Sequence, residues 1–172
     1  MLNGLRALRM GGREVLPLVE GGKGVAATNH KSSGAWAATG GVGTISAVNA
    51  DSYDAEGKII RQVYEQMTRR ERHEQLIQYG IDGGVQQVRR AYEMAEGTLS
   101  KGIGALNVNV LWEMGGAQQV LVGVLEGAKG LVHGVTCGAG MPYKLSELAA
   151  HHEVFYYPII SSARAFRALW KR

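Results

Sequence analysis

The sequence has one cysteine, Cys137, which excludes an intramolecular disulfide and fits a reducing, cytoplasmic setting. It has no apolar run near the roughly 18 residues of a membrane span, and its N-terminus lacks the long apolar core of a secretory signal, so no membrane is expected among its partners. It also lacks a dense block of one charge sign. The 19 basic and 15 acidic residues leave a net charge of +4, and the densest cluster, Arg69-Arg70-Glu71-Arg72-His73-Glu74, mixes both signs. That cluster reads as a solvated helix face, and no nucleic-acid partner is expected. Neither the dinucleotide fingerprint Gly-x-Gly-x-x-Gly nor the phosphate loop Gly-x-x-x-x-Gly-Lys-Ser occurs at the first glycine loop, Gly21-Gly22-Lys23-Gly24. His133, His151 and His152 show no metal-ligand spacing with acidic residues, so no metal is expected.

Glycine, by contrast, is abundant: 25 of 172 residues, about twice the usual share of roughly 7%. The glycines gather where apolar runs end. Val135-Thr136-Cys137-Gly138-Ala139-Gly140-Met141-Pro142 reads as a buried strand ending in a small-residue loop whose backbone can come close to a flat or phosphorylated ligand. Two similar exits precede it, Leu18-Val19-Glu20-Gly21-Gly22-Lys23-Gly24 and the strand Asn107–Trp112 running to Gly115-Gly116. Several strands then deliver their C-terminal ends to one place, where α/β proteins put ligands. The length and the 45% hydrophobic content fit one core and a single domain, 1–172.

In order, the pattern predicts a short lead-in to residue 14 with a Gly11-Gly12 turn, then strand one, Val15–Val19, with Pro17 tolerable only at a strand start or edge. Asn29 or Ser32/Ser33 is expected to cap a helix over Ser33–Thr39, ended by Gly40-Gly41, and Val42–Val48 forms strand two. After a polar excursion, Asn49–Gly57, helical spacing of Ile59, Ile60, Val63, Tyr64 and Met67 predicts one helix, and Val85, Val88, Tyr92 and Ala95 predict a second beyond a Gly83-Gly84 break. Strand three is Ala105–Trp112. Ala117, Val120, Leu121, Val124, Leu125 and Ala128 then supply the cleanest helical stripe. Strand four is Leu131–Cys137, followed by a helix with Leu145, Leu148 and Ala149 inward. Strand five is Val154–Ile160, and Ser161 or Ser162 caps a last helix bearing Phe166, Leu169 and Trp170 and ending at Arg172. Strands alternating with helices imply a parallel sheet with right-handed crossovers and five βα units.

Several residues admit two readings. Gly21–Gly24 is a phosphate cradle or a plain tight turn. Asn107 and Asn109 lie two apart in an apolar strand and face one side, where they meet a ligand's polar edge or bond to a neighbouring strand or loop. Cys137 is a nucleophile or, with no evident partner base, a small buried filler. Lys23 and Lys144 are anion contacts or solvated lysines.

Taken together, Glu20-Gly21-Gly22-Lys23-Gly24-Val25, Gly40-Gly41-Val42-Gly43-Thr44-Ile45-Ser46, Val108-Asn109-Val110, Val135–Pro142 and Tyr157-Pro158-Ile159-Ile160-Ser161-Ser162 resemble the nitronate monooxygenase (2-nitropropane dioxygenase) family. The resemblance runs from about Leu16 to Lys171 and departs from the family's usual Gln-Gly-Gly-Met-Gly loop at Glu20 and Lys23. It implies an α/β fold, the first five βα units of a parallel (β/α) TIM-barrel-like domain, apparently truncated. It implies FMN as cofactor and the oxidation of a small-molecule substrate, an alkyl nitronate, with dioxygen. The implied cofactor-binding residues are Gly22, Lys23 and Gly24 after strand one, Asn109 on strand three, and Thr136, Gly138 and Ala139 after strand four. Catalytic residues stay unassigned, because the family's catalytic histidine and phosphate-binding loops belong to later units and none of the five histidines matches that motif. The expectation is a colourless preparation without nitronate turnover. Two alternatives stand beside it: a non-catalytic barrel fragment or half-barrel that self-associates through exposed sheet edges, and a flavin enoyl reductase relative.

Overall fold

The computed structural model describes residues 4–63, 65 and 67–171. The lead-in is a hairpin: β1 (Leu8–Met10) and β2 (Arg13–Val15) pair antiparallel across Gly11-Gly12. Both turn glycines have positive φ, +57° and +75°, a conformation that β-carbon sterics disfavour for other residues. Strand one is therefore not Val15–Val19. Val15 closes the hairpin, and only Leu18–Glu20 lies along the edge of β3 (Val42–Ser46), through one parallel bridge, Val19 to Val42. The ladder stops there for a local reason. The Thr44 N–H, which the Glu20 carbonyl would accept in a continued parallel ladder, instead donates to the Glu20 carboxylate at 2.9 Å. The main chain is thereby free to turn away at Gly21.

α1 (His30–Ala38) begins earlier than the pattern suggested, because Asn29 and Ser32 form a reciprocal capping box. Beyond β3, the helix expected from Ile59 does not form over the described residues 59–63. Ile59, Ile60 and Val63 are exposed, and the chain makes a small turn closed by an antiparallel bridge from Tyr53 to Ile59. Tyr64 and Arg172, counted in expected helices, lie outside the described residues. The helix starts at Thr68, where the hydroxyl caps Glu71 N–H and the Glu71 carboxylate accepts from Thr68 N–H at 2.8 Å. From there α2 (Arg69–Leu99) runs unbroken for 31 residues, so two expected helices are one.

The Gly83-Gly84 pair does not break α2; it lets α2 pack closely. A β-carbon on Gly83 would overlap the Ala50 carbonyl oxygen, and one on Gly84 would sit 2.5 Å from Val124 Cγ2. Val124 belongs to α3 (Ala117–Gly127), which follows β4 (Ala105–Leu111). The fit is reciprocal: Ile81 and Val85 of α2 fill the spaces over Gly123 and Gly127 of α3, where β-carbons would lie 2.6 Å and 2.5 Å from them. Branched side chains of each helix thus seat on glycines of the other.

β5 (Gly134–Gly138), α4 (Leu145–His151), β6 (Phe155–Pro158) and α5 (Ala163–Trp170) complete the chain, with Ser162 capping the last helix. β3-β4-β5-β6 form a four-stranded parallel sheet in sequential order. The architecture is thus α/β, with Leu18–Glu20 beside β3 at one edge and β6 at the other. The expected stripe on α3 is buried in full, from Ala117 to Ala128, against Ile45, Leu106, Val108 and Val135. α5 buries only Leu169, and Phe166 and Trp170 stay exposed.

Gly97, also in α2, faces open space, with nothing within 4 Å of where a β-carbon would lie. Gly97→Ala should stabilise the fold by about 0.5 to 1 kcal/mol through helix propensity, and Gly84→Ala should destabilise it by roughly 1 to 3 kcal/mol despite the same gain. Urea denaturation of the two variants checks the contrast. A second expectation concerns His133, whose Nδ1 accepts from the Leu106 N–H at 3.0 Å. Burial, then Arg13, lowers its pKa from 6.5 to about 4. The folded state binds this proton less readily than the unfolded chain, so stability is complete above pH 6.5 and falls as pH drops towards 4. Denaturation should show a loss of roughly 2 kcal/mol between about pH 7 and 5, reduced in His133→Asn.

Candidate functional site

The sheet has two unlike faces. On one, Ile45, Val108, Val135 and Tyr156 lie side by side in register beneath the helices. On the other, the row Thr44, Asn107, Gly134, Phe155 is followed, one step towards the C-terminal ends, by Ser46, Asn109, Thr136, Tyr157. Below both rows, Val42 and Ala105 pack against Val15 and Met10 of the hairpin. Thr44, Ser46, Asn107 and Asn109 are all at most 2% exposed, so this second face is polar and yet covered.

What covers it at the upper end is the first glycine loop. A β-carbon on Gly22 would overlap the Asn109 side chain, so the loop backbone lies directly on that amide. Asn109 Oδ1 accepts from the Thr136 hydroxyl at 3.0 Å. In the row below, Thr44 Oγ1 and Asn107 Oδ1 are buried and find no hydrogen-bond partner. Such groups cost about 1 to 3 kcal/mol each when left unmet, and they are the kind of site a bound water or a ligand's polar edge satisfies.

Four of the five described non-glycine residues with positive φ lie at the same end, the fifth being Glu153 before β6. Val25 and Ala26 after the first loop, Asn49 after β3 and Ala139 after β5 all have φ between +48° and +58°. For Val25, β-branched, this region is a true outlier. Strain of roughly 1 to 3 kcal/mol per residue persists only where the surroundings over-determine it, and such residues cluster at functional sites.

The structure brings Gly22 and Thr136 each into contact with Asn109. Gly24 lies against Val48 at the exit of β3, and Gly138 and Ala139 lie at the exit of β5, tied to the next loop by Trp112 N–H to Gly138 O and Glu113 N–H to Ala139 O. Lys23 is exposed; only its backbone is fixed, its N–H donating to Thr28 Oγ1 at 3.2 Å. Asn109 is covered by Gly22, so its visible work is to orient Thr136, which with Tyr157 forms the partly open part of the face. A cavity of about 440 Å³ opens at this end of the sheet between Trp112, Gln118, Met141 and Lys144, and none of the seven expected residues lines it.

Cys137 faces the helices, fully buried, and burial pushes its thiol up to about 11. It is a core filler. His133 is not mid-strand but precedes β5, at the opposite end of the sheet from the glycine loops. Among the described residues no group of three or more His, Cys, Asp or Glu could hold a metal, and no helix is long and apolar enough to cross a membrane.

Residues missed as candidates are Glu20, whose carboxylate ends the edge ladder, and Thr44 and Tyr157 on the polar face, whereas Asn107 was singled out with Asn109. The alternation in Val42-Gly43-Thr44-Ile45-Ser46 was their signal: polar oxygens at every second residue of an otherwise apolar strand define one face.

No protein-family model matches the chain, and a search of curated proteins finds no match.

Gly22→Ala should displace the glycine loop from Asn109 and cost roughly 1 to 3 kcal/mol, and Gly21→Ala, with nothing within 4 Å of its β-carbon, should cost well under that. Paired thermal denaturation checks this. Cys137 should resist alkylation by iodoacetamide at about pH 8 in the native state and react on unfolding, as mass spectrometry would read.

Proposed function

We propose that the chain is the first part of a (β/α) barrel and a flavin oxidoreductase of the nitronate monooxygenase type, binding FMN across the C-terminal ends of its strands. The observation that carries this reading is the polar second face, with two unpartnered buried oxygens beneath three loops that hold strained residues. Sequential parallel order from Leu18–Glu20 to β6 supports the barrel part of it. In this reading the backbones of Gly22–Gly24 and Gly138–Ala139 would border the flavin ring, and the Thr136 hydroxyl, held by Asn109 at 3.0 Å, would meet its polar edge. Bound FMN would supply electron transfer from a nitronate to dioxygen. The chain's own residues orient the ring and exclude water from one side of it.

General acid–base help is another matter. His30 opens α1, His73 lies in the first turns of α2, His133 sits at the far end of the sheet, and His151 and His152 end α4. None of these histidines hydrogen-bonds to the Ser46, Asn109, Thr136 or Tyr157 side chains, so these residues alone should not turn over alkyl nitronates. A second reading, self-association, is favoured by the β6 edge, where Phe155, Ile159, Phe166 and Trp170 are 48–78% exposed. Pro158 offers no N–H there, so such contact would be made by side chains more than by a ladder.

The test of the flavin reading is titration of FMN and riboflavin, followed by flavin fluorescence. Binding of both, weakened roughly tenfold or more by Thr136→Val through one lost hydrogen bond, is expected. Absence of binding by wild-type protein up to millimolar flavin would sink it. Light scattering across concentration tests self-association, with a monomer throughout as the negative result.

A further inference from the structure

His30 joins the two loops at the upper edge of the sheet. It is the first residue of α1, directly after the glycine loop, and its ring meets the Tyr53 ring edge-on at 5.1 Å in the loop that follows β3. Arg90 of α2 lies over the Tyr53 ring at 5.7 Å. Three side chains of α2 hold this loop. Gln86 exchanges two 2.7 Å hydrogen bonds with the Tyr53 main chain, Gln87 donates to Asp51 O at 2.6 Å, and Arg90 reaches Asp54 O at 3.5 Å. Gln87 also accepts from the His30 N–H at 3.3 Å, so one buried amide ties both loops to α2.

The His30 ring is 7% exposed as part of its residue, and its Nδ1 is buried with no partner. The charged and titratable groups around it are Arg90 on α2, Lys31 on α1, and Tyr53 and Asp51 on the loop, where Asp51 bears on the Tyr53 hydroxyl. Its pKa is lowered from 6.5, first by burial and then by Arg90 and Lys31. A proton added here would give Nδ1 a buried N–H without an acceptor and set a third positive charge beside two others.

We propose that His30 is a pH-sensitive fastener: in its neutral form it keeps the 49–60 loop closed against α2, and its protonation releases that loop at the rim of the sheet. The cluster packs only when His30 is uncharged. The sign follows from linkage. The open loop binds the proton more readily than the closed one, so closure is complete above pH 6.5 and weakens as pH falls. This inference does not depend on the flavin reading.

The experiment is amide hydrogen exchange, corrected for intrinsic rates, at about pH 7.5 and about pH 5. Protection of the Tyr53 and Gly57 amides, which bond to Gln86 and to Asp54 O, should fall on acidification by up to roughly tenfold for each unit by which His30 titrates below 6.5, while the Val108 amide in β4 stays protected. His30→Phe, which keeps a ring against Tyr53, should abolish the fall, and His133→Asn should not. Equal protection at both pH values, or the same fall in His30→Phe, overturns the proposal. Should His30→Phe not fold, the wild-type His30 ring titration by NMR decides: a midpoint clearly below 6.5 supports the fastener and one at or above it overturns it.

Discussion

Strand β4 is buried on both sides, and its side chains alternate between Leu106, Val108, Val110 and Asn107, Asn109. One side can therefore be sealed by helices with no polar group to satisfy. The other carries amides that must be met by something. Much of the remaining structure answers that requirement. The hairpin packs Val15 and Met10 at the lower end, Gly134 leaves room for Asn107 Oδ1 and the Tyr157 ring, and the glycine loop lays its backbone on Asn109. Asn109 is satisfied by Thr136, but Thr44 and Asn107 each keep an unmet oxygen. A sheet selected only for stability would place valines there, because an apolar pair would avoid the desolvation cost that unmet amides carry.

The helical side shows the opposite balance. α2 has low intrinsic helicity where Gly80, Gly83 and Gly84 fall, and at roughly 1 kcal/mol per glycine the segment should fray. It does not, because the close approach of α3 and of the Ala50 carbonyl returns dispersion contact along its length. Glycine here weakens the isolated helix and strengthens the packed one, with tertiary contact deciding between them.

That competition separates what could be read in the chain from what could not. The four strands of the sheet and the α3 stripe followed from hydrophobic period, since each is a local pattern facing one core, and the parallel arrangement followed from their alternation with helices. The unbroken α2 was hidden because Gly83-Gly84 has the same local meaning whether or not α3 arrives. The hairpin was hidden because Leu8–Val15 carries charged residues on three-residue strands too short for a period. The start of α2 at Thr68 was written in Thr68-x-x-Glu71, a capping box overruled by the apolar spacing of Ile59, Ile60 and Val63, which the structure leaves in solvent. At the site, Asn109 and Gly22 were legible as types. Their contact, and the role of Glu20 in causing it, required knowing which N–H would be left for a carboxylate to take.

Local conflicts are also unevenly distributed, and this bears on what the upper rim of the sheet is for. Val25, Ala26, Asn49 and Ala139 in disfavoured backbone, Thr44 and Asn107 with unmet oxygens, and His30 with an unmet nitrogen all lie on the sheet's polar face or in the loops at its C-terminal rim. Among the described residues the helical side is free of positive φ within its elements, and it is closed by interlocking branched side chains. Further conflicts lie elsewhere, in Glu153 with positive φ before β6 and in Ser33 of α1 and Gln75 of α2 with unmet side-chain oxygens, so the polar face and its rim hold the larger share of them and not all. The 49–60 loop hangs from α2 by Gln86, Gln87 and Arg90, with Ala50 buried at its base, whereas β4 and α3 cannot shift without opening the core. A rigid sheet below and fastened loops above are the division of labour that the proposed site would need.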